Sequence, residues 1–238
     1  QMAWRRAKIA EFRSHRRFDR EYPATPDMAF VTAETQSFIP ALLVLRARKR
    51  EGIEGYGPVI LGIDPAGPGG DRFAIAARQG AKLLWVRYRN KLSTAAAFQW
   101  VQSVIKEMDP DRVNIDAGGI GHSVISLLRT DASPAAAKLV RAINFGAPSE
   151  SKKATPKLPG PKNRRAEMWE RLHDWLELEE GVSLPDDDAL QADITAPRVK
   201  PTVSNDLLLE SKDDMRGRGV RSPDMADAVA LTFASLGA

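Results

Sequence analysis

The sequence predicts an α/β domain on a mixed sheet: three antiparallel hairpin-linked strands, then alternating helix and strand, flanked by helices. Three observations carry this. The apolar run Val59-Ile60-Leu61-Gly62-Ile63 has strand length, ends in Asp64, and is followed by a Gly/Pro-punctuated turn reaching Asp71. Two further strand-like segments, 73–77 and 82–88, are separated by a short break containing Gln79-Gly80. Beyond them the apolar period changes from strand-like to helical.

The first fifty residues differ from the rest. Residues 4–20 form a basic helical run, 22–40 carry three prolines and several Ser/Thr, and 41–50 read as a short basic helix. The expected division is therefore a basic N-terminal arm or linker over 1–56 and a globular domain over 57–238. After the three strands, Ala97, Val101, Val104, Ile105 and Met108 recur at helical spacing within 94–108. Residues 112–115 make a short strand ending in Asp116, and the Gly118-Gly119 turn opens a helix over 120–128. Residues 139–145 read as another strand. Residues 163–178 form an amphipathic helix carrying Met168, Leu172, Trp175 and Leu176. Residues 207–210 suit an edge strand. Ser222-Pro223-Asp224 starts a last, wholly apolar helix, with Ser as cap and Pro at the first helical position.

Composition narrows the chemistry. A chain of 238 residues, 43% hydrophobic and 28% charged, can bury one substantial core. It has no apolar stretch near the roughly 18 to 20 residues of a membrane span, and its start is too rich in Arg for a signal peptide, so a cytoplasmic location is expected. The absence of cysteine excludes disulfides, thiolate metal sites, iron-sulfur clusters and cysteine nucleophiles. With three histidines, any metal must be held mainly by oxygen. The net charge of +4 is modest but segregated. Residues 152–165 hold six basic side chains (Lys152, Lys153, Lys157, Lys162, Arg164, Arg165) and no acid, whereas 170–193 hold nine acids against Arg171. This describes either a solvated loop beside a solvated helix or a positive flap that touches a polyanion.

Three acids fall where α/β sites form, at the carboxyl ends of strands and the start of a helix packed on them: Asp64, Asp116 and Asp224. Asp227 lies one turn after Asp224 on the same helix face. Clustered buried carboxylates repel one another and lose hydration, so they take up protons or hold a divalent cation. Hard oxygen donors select magnesium or manganese, and two such ions can activate water and neutralise the leaving oxygen of a phosphodiester. Each acid also has a plainer role: Asp64 as a turn residue, Asp116 as a helix cap, Asp224 beside a helix dipole. Asp71 is within reach as a further ligand but suits a hairpin turn. His122 suits either a surface position or a substrate contact. Neither a G-x-x-x-x-G-K-S/T phosphate loop nor a G-x-S-x-G nucleophile elbow occurs.

Together these residues resemble a known family. The segments Ile60-Leu-Gly-Ile-Asp64-Pro-Ala with Asp71, Asn114-Ile-Asp116-Ala-Gly-Gly-Ile-Gly121, Asn163-Arg-Arg-Ala-Glu-Met-Trp169, Leu184-Pro-Asp-Asp-Asp188, Glu210-Ser-Lys-Asp-Asp214 and Ser222-Pro-Asp-Met-Ala-Asp227-Ala are similar, in that order, to the C-terminal nuclease domain of the large terminase subunit of tailed bacteriophages and prophages. Glu21-Tyr-Pro-Ala-Thr-Pro-Asp-Met-Ala-Phe30 is similar to the segment that follows the family's ATPase domain. The resemblance implies a ribonuclease H-like fold and Mg2+- or Mn2+-dependent endonuclease cutting of concatemeric double-stranded viral DNA during packaging, by two ions and with little sequence specificity. It implies Asp64, Asp116 and Asp224 as catalytic metal ligands, Asp227 as a neighbouring acid and Asp71 as an occasional ligand. The 152–165 segment would be a DNA clamp beside them. It also implies action in the infected host cell, with portal, small terminase subunit and procapsid as partners of the full-length protein. ATPase motifs are absent from this chain, so no ATP hydrolysis is expected of it, and a monomer is expected. Two other readings remain open at this point: a Holliday-junction resolvase-like nuclease, and a non-catalytic module docking DNA, portal or procapsid. An actin-like or sugar-kinase ATPase shares the strand-end Asp and Gly-rich hairpin but lacks a second phosphate-binding turn.

Overall fold

The computed structural model describes residues 2–12, 37–151, 160–204 and 206–234. Its centre is a five-stranded sheet of β1 (Val59–Asp64), β2 (Arg72–Gln79), β3 (Lys82–Asn90), β4 (Arg112–Asp116) and β5 (Val140–Ile143), in spatial order β3-β2-β1-β4-β5. The first three strands pair antiparallel, and β1-β4 and β4-β5 pair parallel. The mixed sheet matches the expectation, and its cause is loop length: short turns join antiparallel neighbours, whereas parallel neighbours need a crossover.

Outside the sheet, α1 (Met2–Phe12) and α2 (Ala41–Arg48) precede β1. Helix α3 (Thr94–Met108) crosses from β3 to β4, and α4 (Gly121–Thr130) with α5 (Pro134–Leu139) from β4 to β5. Then come α6 (Arg164–Leu176), α7 (Asp188–Thr195), a two-stranded ribbon of β6 (Val199–Lys200) and β7 (Leu208–Leu209), α8 (Lys212–Gly217) and α9 (Asp224–Leu231). Side chains cap the helix starts at Ser93, Asn163, Asp187 and Ser211, each accepting a main-chain N–H three residues on.

Strand alternation divides the core in two. Leu61, Ile63, Phe73, Ile75, Val113 and Ile115 face α3 and α4. The opposite face carries Ala74 and Ala76, which meet α2, α6, α7 and α9. Small residues on this face let α9 lie directly on the sheet. A β-carbon on Gly62 would stand 2.1 Å from the Ala228 carbonyl oxygen, so only glycine permits this approach. Every residue of α9 is buried, including Asp224 and Asp227 in its first turns.

Four expectations need correction. The arm does not extend to residue 56: Phe38, Ile39, Val44 and Ala47 are core residues, and the Phe38 N–H donates to the Pro197 carbonyl at 2.7 Å. Proline and Ser/Thr punctuation obscured that short apolar segment; residues 13–36 lie outside the described residues. The acidic stretch is not uniformly solvated, since Asp193 is buried and Asp186 and Asp188 receive Arg48 at 2.5 and 2.7 Å. Ser222 does not cap α9. Pro223 holds the cap position, and the Ser222 hydroxyl donates to Asp224 Oδ1 at 2.6 Å. Helices α5, α7 and α8, too short for a clear apolar period, were not anticipated. Among the described residues no helix is long and apolar enough to cross a membrane.

Candidate metal centre

Asp64 and Asp116 are the last residues of β1 and β4, and the parallel register Ile63↔Ile115 sets them side by side at one edge of the sheet. A β-carbon on Gly121 would lie 1.9 Å from the Asp116 carbonyl oxygen, so the turn after β4 folds tightly under Asp116 only because glycine stands there. Asp224 opens α9 and Asp227 follows one turn later, both completely buried; Asp64 is 2% exposed.

What draws these acids together is a residue the sequence reading passed over. Lys212, the first residue of α8, places Nζ 2.8 Å from Asp64 Oδ2, 2.9 Å from Asp224 Oδ1 and 3.9 Å from Asp227 Oδ2. Burial drives the Asp64 carboxyl up to about 8; Lys212 resists the shift, and the charges of Asp227 and Asp224 add to it. Burial likewise raises Asp116 above its ordinary value, opposed by the Phe145 and Gly118 main-chain N–H groups; Asp227 and Lys212 act on it too, so it faces the same cluster. Burial works against the Lys212 ammonium, but Asp64, Asp227 and Asp224 outweigh it and raise its pKa.

The carboxylates are held by different partners. Asp224 Oδ2 accepts the Arg72 main-chain N–H at 2.8 Å, and its Oδ1 accepts Ser222 and Lys212. Arg72, itself buried, clamps both oxygens of Asp193 through Nη2 at 2.8 and 2.6 Å, and Asp193 Oδ2 accepts the Met225 N–H at 3.0 Å. This buried pair therefore fixes the first turn of α9. Asp227 Oδ1 accepts Trp169 Nε1 at 2.8 Å and Arg165 Nε at 2.9 Å, while Oδ2 accepts Arg165 Nη2 at 3.3 Å. Three donors hold Asp227 from behind, and its remaining capacity faces Lys212.

Other expected site residues are placed differently. Asp71 sits on the rim, and among the described residues its ion pair is with Arg216, at 3.4 Å, not with the cluster. Arg164 is 4% exposed and pairs with Glu150 and Glu167, and Arg165 holds Asp227 and the Glu210 carbonyl. These two guanidiniums compensate internal acids and are not presented to an external polyanion, which corrects their assignment to a DNA clamp. Lys162 is exposed; Lys152, Lys153 and Lys157 lie outside the described residues. His122 is exposed at the start of α4. The signal for Lys212 was faint: Ser211 and Asp214 form a capping box that announces a helix start, but nothing local says its first residue reaches three distant acids.

The donor set fits a hard divalent cation. Three carboxylates, Asp64, Asp224 and Asp227, surround the Lys212 ammonium, Asp116 ends the neighbouring parallel strand, and no soft ligand competes. Asp64, Asp224, Asp227 and the neighbouring Asp116 are the residues that could hold such an ion once Lys212 withdraws.

A mixed sheet of this order, with acids ending its central parallel strands and a helix laid across one face, is a ribonuclease H-like domain, as the resemblance implied. Solved structures share this fold. The nuclease domain of the large terminase subunit gp2 of bacterial virus Sf6 is similar with a TM-score of 0.69 and 22% identity, covering 84% of this chain and 99% of that one. A mutant of the Sf6 domain solved with calcium gives 0.70 and 20%, covering 84% and 100%. The large terminase nuclease from thermophilic phage G20c with bound magnesium gives 0.56 and 15%, covering 83% and 96%. No family model matches the chain, and no curated protein does. At these identities the likeness is one of fold.

Proposed function

We propose that this chain is a metal-dependent endonuclease that cuts double-stranded DNA during phage genome packaging, as the nuclease part of a large terminase. The observation that carries the reading is the set of three carboxylates, Asp64, Asp224 and Asp227, around Lys212 Nζ, beside Asp116 at the end of the neighbouring parallel strand of a ribonuclease H-like sheet. The metal-bound Sf6 and G20c structures support a divalent cation at such a domain.

Asp64, Asp116 and Asp224 hold Mg2+ or Mn2+ in this reading, as two ions when DNA is present. Bound there, the metal supplies an activated water and neutralises the leaving oxygen of the phosphodiester. Arg72 and Ser222 keep Asp224 oriented, since their donors occupy its outer lone pairs. Arg165 and Trp169 hold the Asp227 side chain in place behind the ligands, and its proximity raises the Lys212 pKa. Lys212 keeps the unloaded cluster neutral enough to fold and must yield when the ion enters. In the full-length protein the partners are portal, small terminase subunit and procapsid, within the infected bacterial cell.

The test is plasmid cleavage by this chain with magnesium, manganese, calcium or EDTA, beside the Asp64→Asn variant. Cutting that requires magnesium or manganese and disappears in the variant is the expected result. Equal nicking by both proteins refutes the assignment of Asp64.

A further inference from the structure

The last third of β3 is exposed on both faces, although the strand is part of the central sheet: Arg87, Tyr88, Arg89 and Asn90 all face solvent, as does Lys91. Its position matters because of register. Asp64 pairs with Ala74 and Ala74 with Tyr88, so the three residues form one row across the sheet with side chains on the same face. Two strand spacings put Tyr88 about 10 Å from Asp64. β3 is also the edge strand. A nucleic-acid strand passing over the carboxylates along this row would leave the sheet there.

Charged residues on an edge strand often serve only to block pairing with another sheet. Arg87 fits that role, being tied to Glu107 by two bonds of 2.8 Å. The rest does not. Lys91 is exposed, has a left-handed backbone with φ 55° and has no ion-pair partner among the described residues; the Arg89 guanidinium lies over Trp100, 4.7 Å from the ring centroid, on the sheet face opposite Asp64 and Tyr88. Tyr88 is 48% exposed, and an exposed ring does nothing to discourage edge pairing. Beneath it lies the Arg72 guanidinium, 5.3 Å from the ring centroid and locked by Asp193. The ring is thus braced from within, on the carboxylate face, with its outer side open.

We infer that the free end of β3 is a DNA track: Tyr88 packs against a sugar flanking the scissile phosphate, and Lys91 takes a backbone phosphate beyond it. The inference rests on the nuclease reading above and adds to it the surface that receives the substrate. The chemistry is complementary. A polyanion brought to four carboxylates needs compensating positive charge beside them, and about 10 Å of duplex axis carries roughly three phosphates per strand. A rigid aromatic face is the sequence-tolerant contact suited to an enzyme with little sequence preference.

The experiment measures binding of a labelled duplex across a salt series in an Asp64→Asn background, and cleavage kinetics in the parent. Lys91→Ala should lower the slope of log affinity against log salt by about 0.9, the value for one phosphate contact. Tyr88→Ala should weaken binding by roughly 2- to 12-fold while Tyr88→Phe stays near the parent, as packing of the ring rather than a hydroxyl contact requires. In cleavage these variants should raise KM and leave kcat within about twofold, with unchanged melting temperatures because both side chains are exposed. Lys106→Ala with Arg129→Ala, exposed cations toward the opposite end of the sheet, is the control that should change neither readout. A parent that binds and cuts while the β3 variants keep its slope and KM overturns the track and leaves the nuclease reading standing. A control pair that lowers the slope equally overturns it as well. A parent that neither binds nor cuts overturns both.

Discussion

Replacing Lys212 by Met removes the ammonium while keeping the bulk of the stem, and so tests what holds the acids together. Asp64 and Asp224 lose charge-assisted bonds of 2.8 and 2.9 Å, and three almost fully buried carboxylates are left facing one another. Removing one partner of a buried pair costs about 3–5 kcal/mol. The Lys212 side chain is 28% exposed, so water reaches the site and about 2–3 kcal/mol is the better figure. For a domain of this size that lowers the melting temperature by roughly 5–10 °C. A divalent ion at a hundredfold excess over its dissociation constant returns about 2.7 kcal/mol. In the parent the ion must first displace the ammonium, so the variant should gain more from metal. Thermal melting of both proteins through a manganese titration gives the answer: the variant melts lower without metal and rises further with it. Identical melting without metal together with identical metal-induced shifts would refute the account of Lys212 as the cation that holds the cluster.

Three other outcomes follow from the geometry. Gly62→Ala drives a β-carbon into the Ala228 carbonyl, displaces α9 and its two acids, and should cost about 1–3 kcal/mol and blunt the manganese-induced stabilisation, whereas Gly69→Ala, with open space around it, should leave that stabilisation intact. Arg72→Met leaves Asp193 buried and unpaired, for a loss of about 3–5 kcal/mol; adding Asp193→Leu should recover part of it, and a double variant as unstable as the sum of the singles would show that the two do not interact. Burial first, with Asp227 and Asp224, lifts Asp64 to about 8 against the pull of Lys212, so between about pH 4 and 8 the native state keeps a proton the unfolded chain has released. Stability without metal should therefore fall as pH rises through that window, and manganese affinity should rise; denaturant melts at constant ionic strength that stay flat from pH 5 to pH 8 would contradict it.

Much of the fold was legible because its signals are local. The run at 59–63, the Gly/Pro turn after it and the helical spacing in 94–108 each fall within one element, and they recover β1 and α3 closely. Asp64, Asp116 and Asp224 were legible for the same reason, since each sits at the end of a recognisable element. Phe38 and Ile39 were not: their burial depends on meeting Pro197 and α6 across the chain, and no periodicity in a two-residue apolar segment announces that. Arg164 and Arg165 misled in the opposite direction, because a basic run looks solvated until the acids that neutralise it, Glu150, Glu167 and Asp227, are seen beside it.

By itself the sequence determined the mixed α/β class, the antiparallel hairpins followed by crossovers, the oxygen-only donor set and the acids at the strand ends, all consequences of chain-local propensity and composition. Tertiary structure alone decided which charges meet. Lys212 reaches Asp64 across 148 residues, Arg72 reaches Asp193 across 121, and Arg165 reaches Asp227 across 62. A buried charge is stabilised by whichever opposite charge the packing brings within about 3 Å, and that distance is set by how α9 docks on the sheet at Gly62 and where α8 begins beside it, not by separation along the chain.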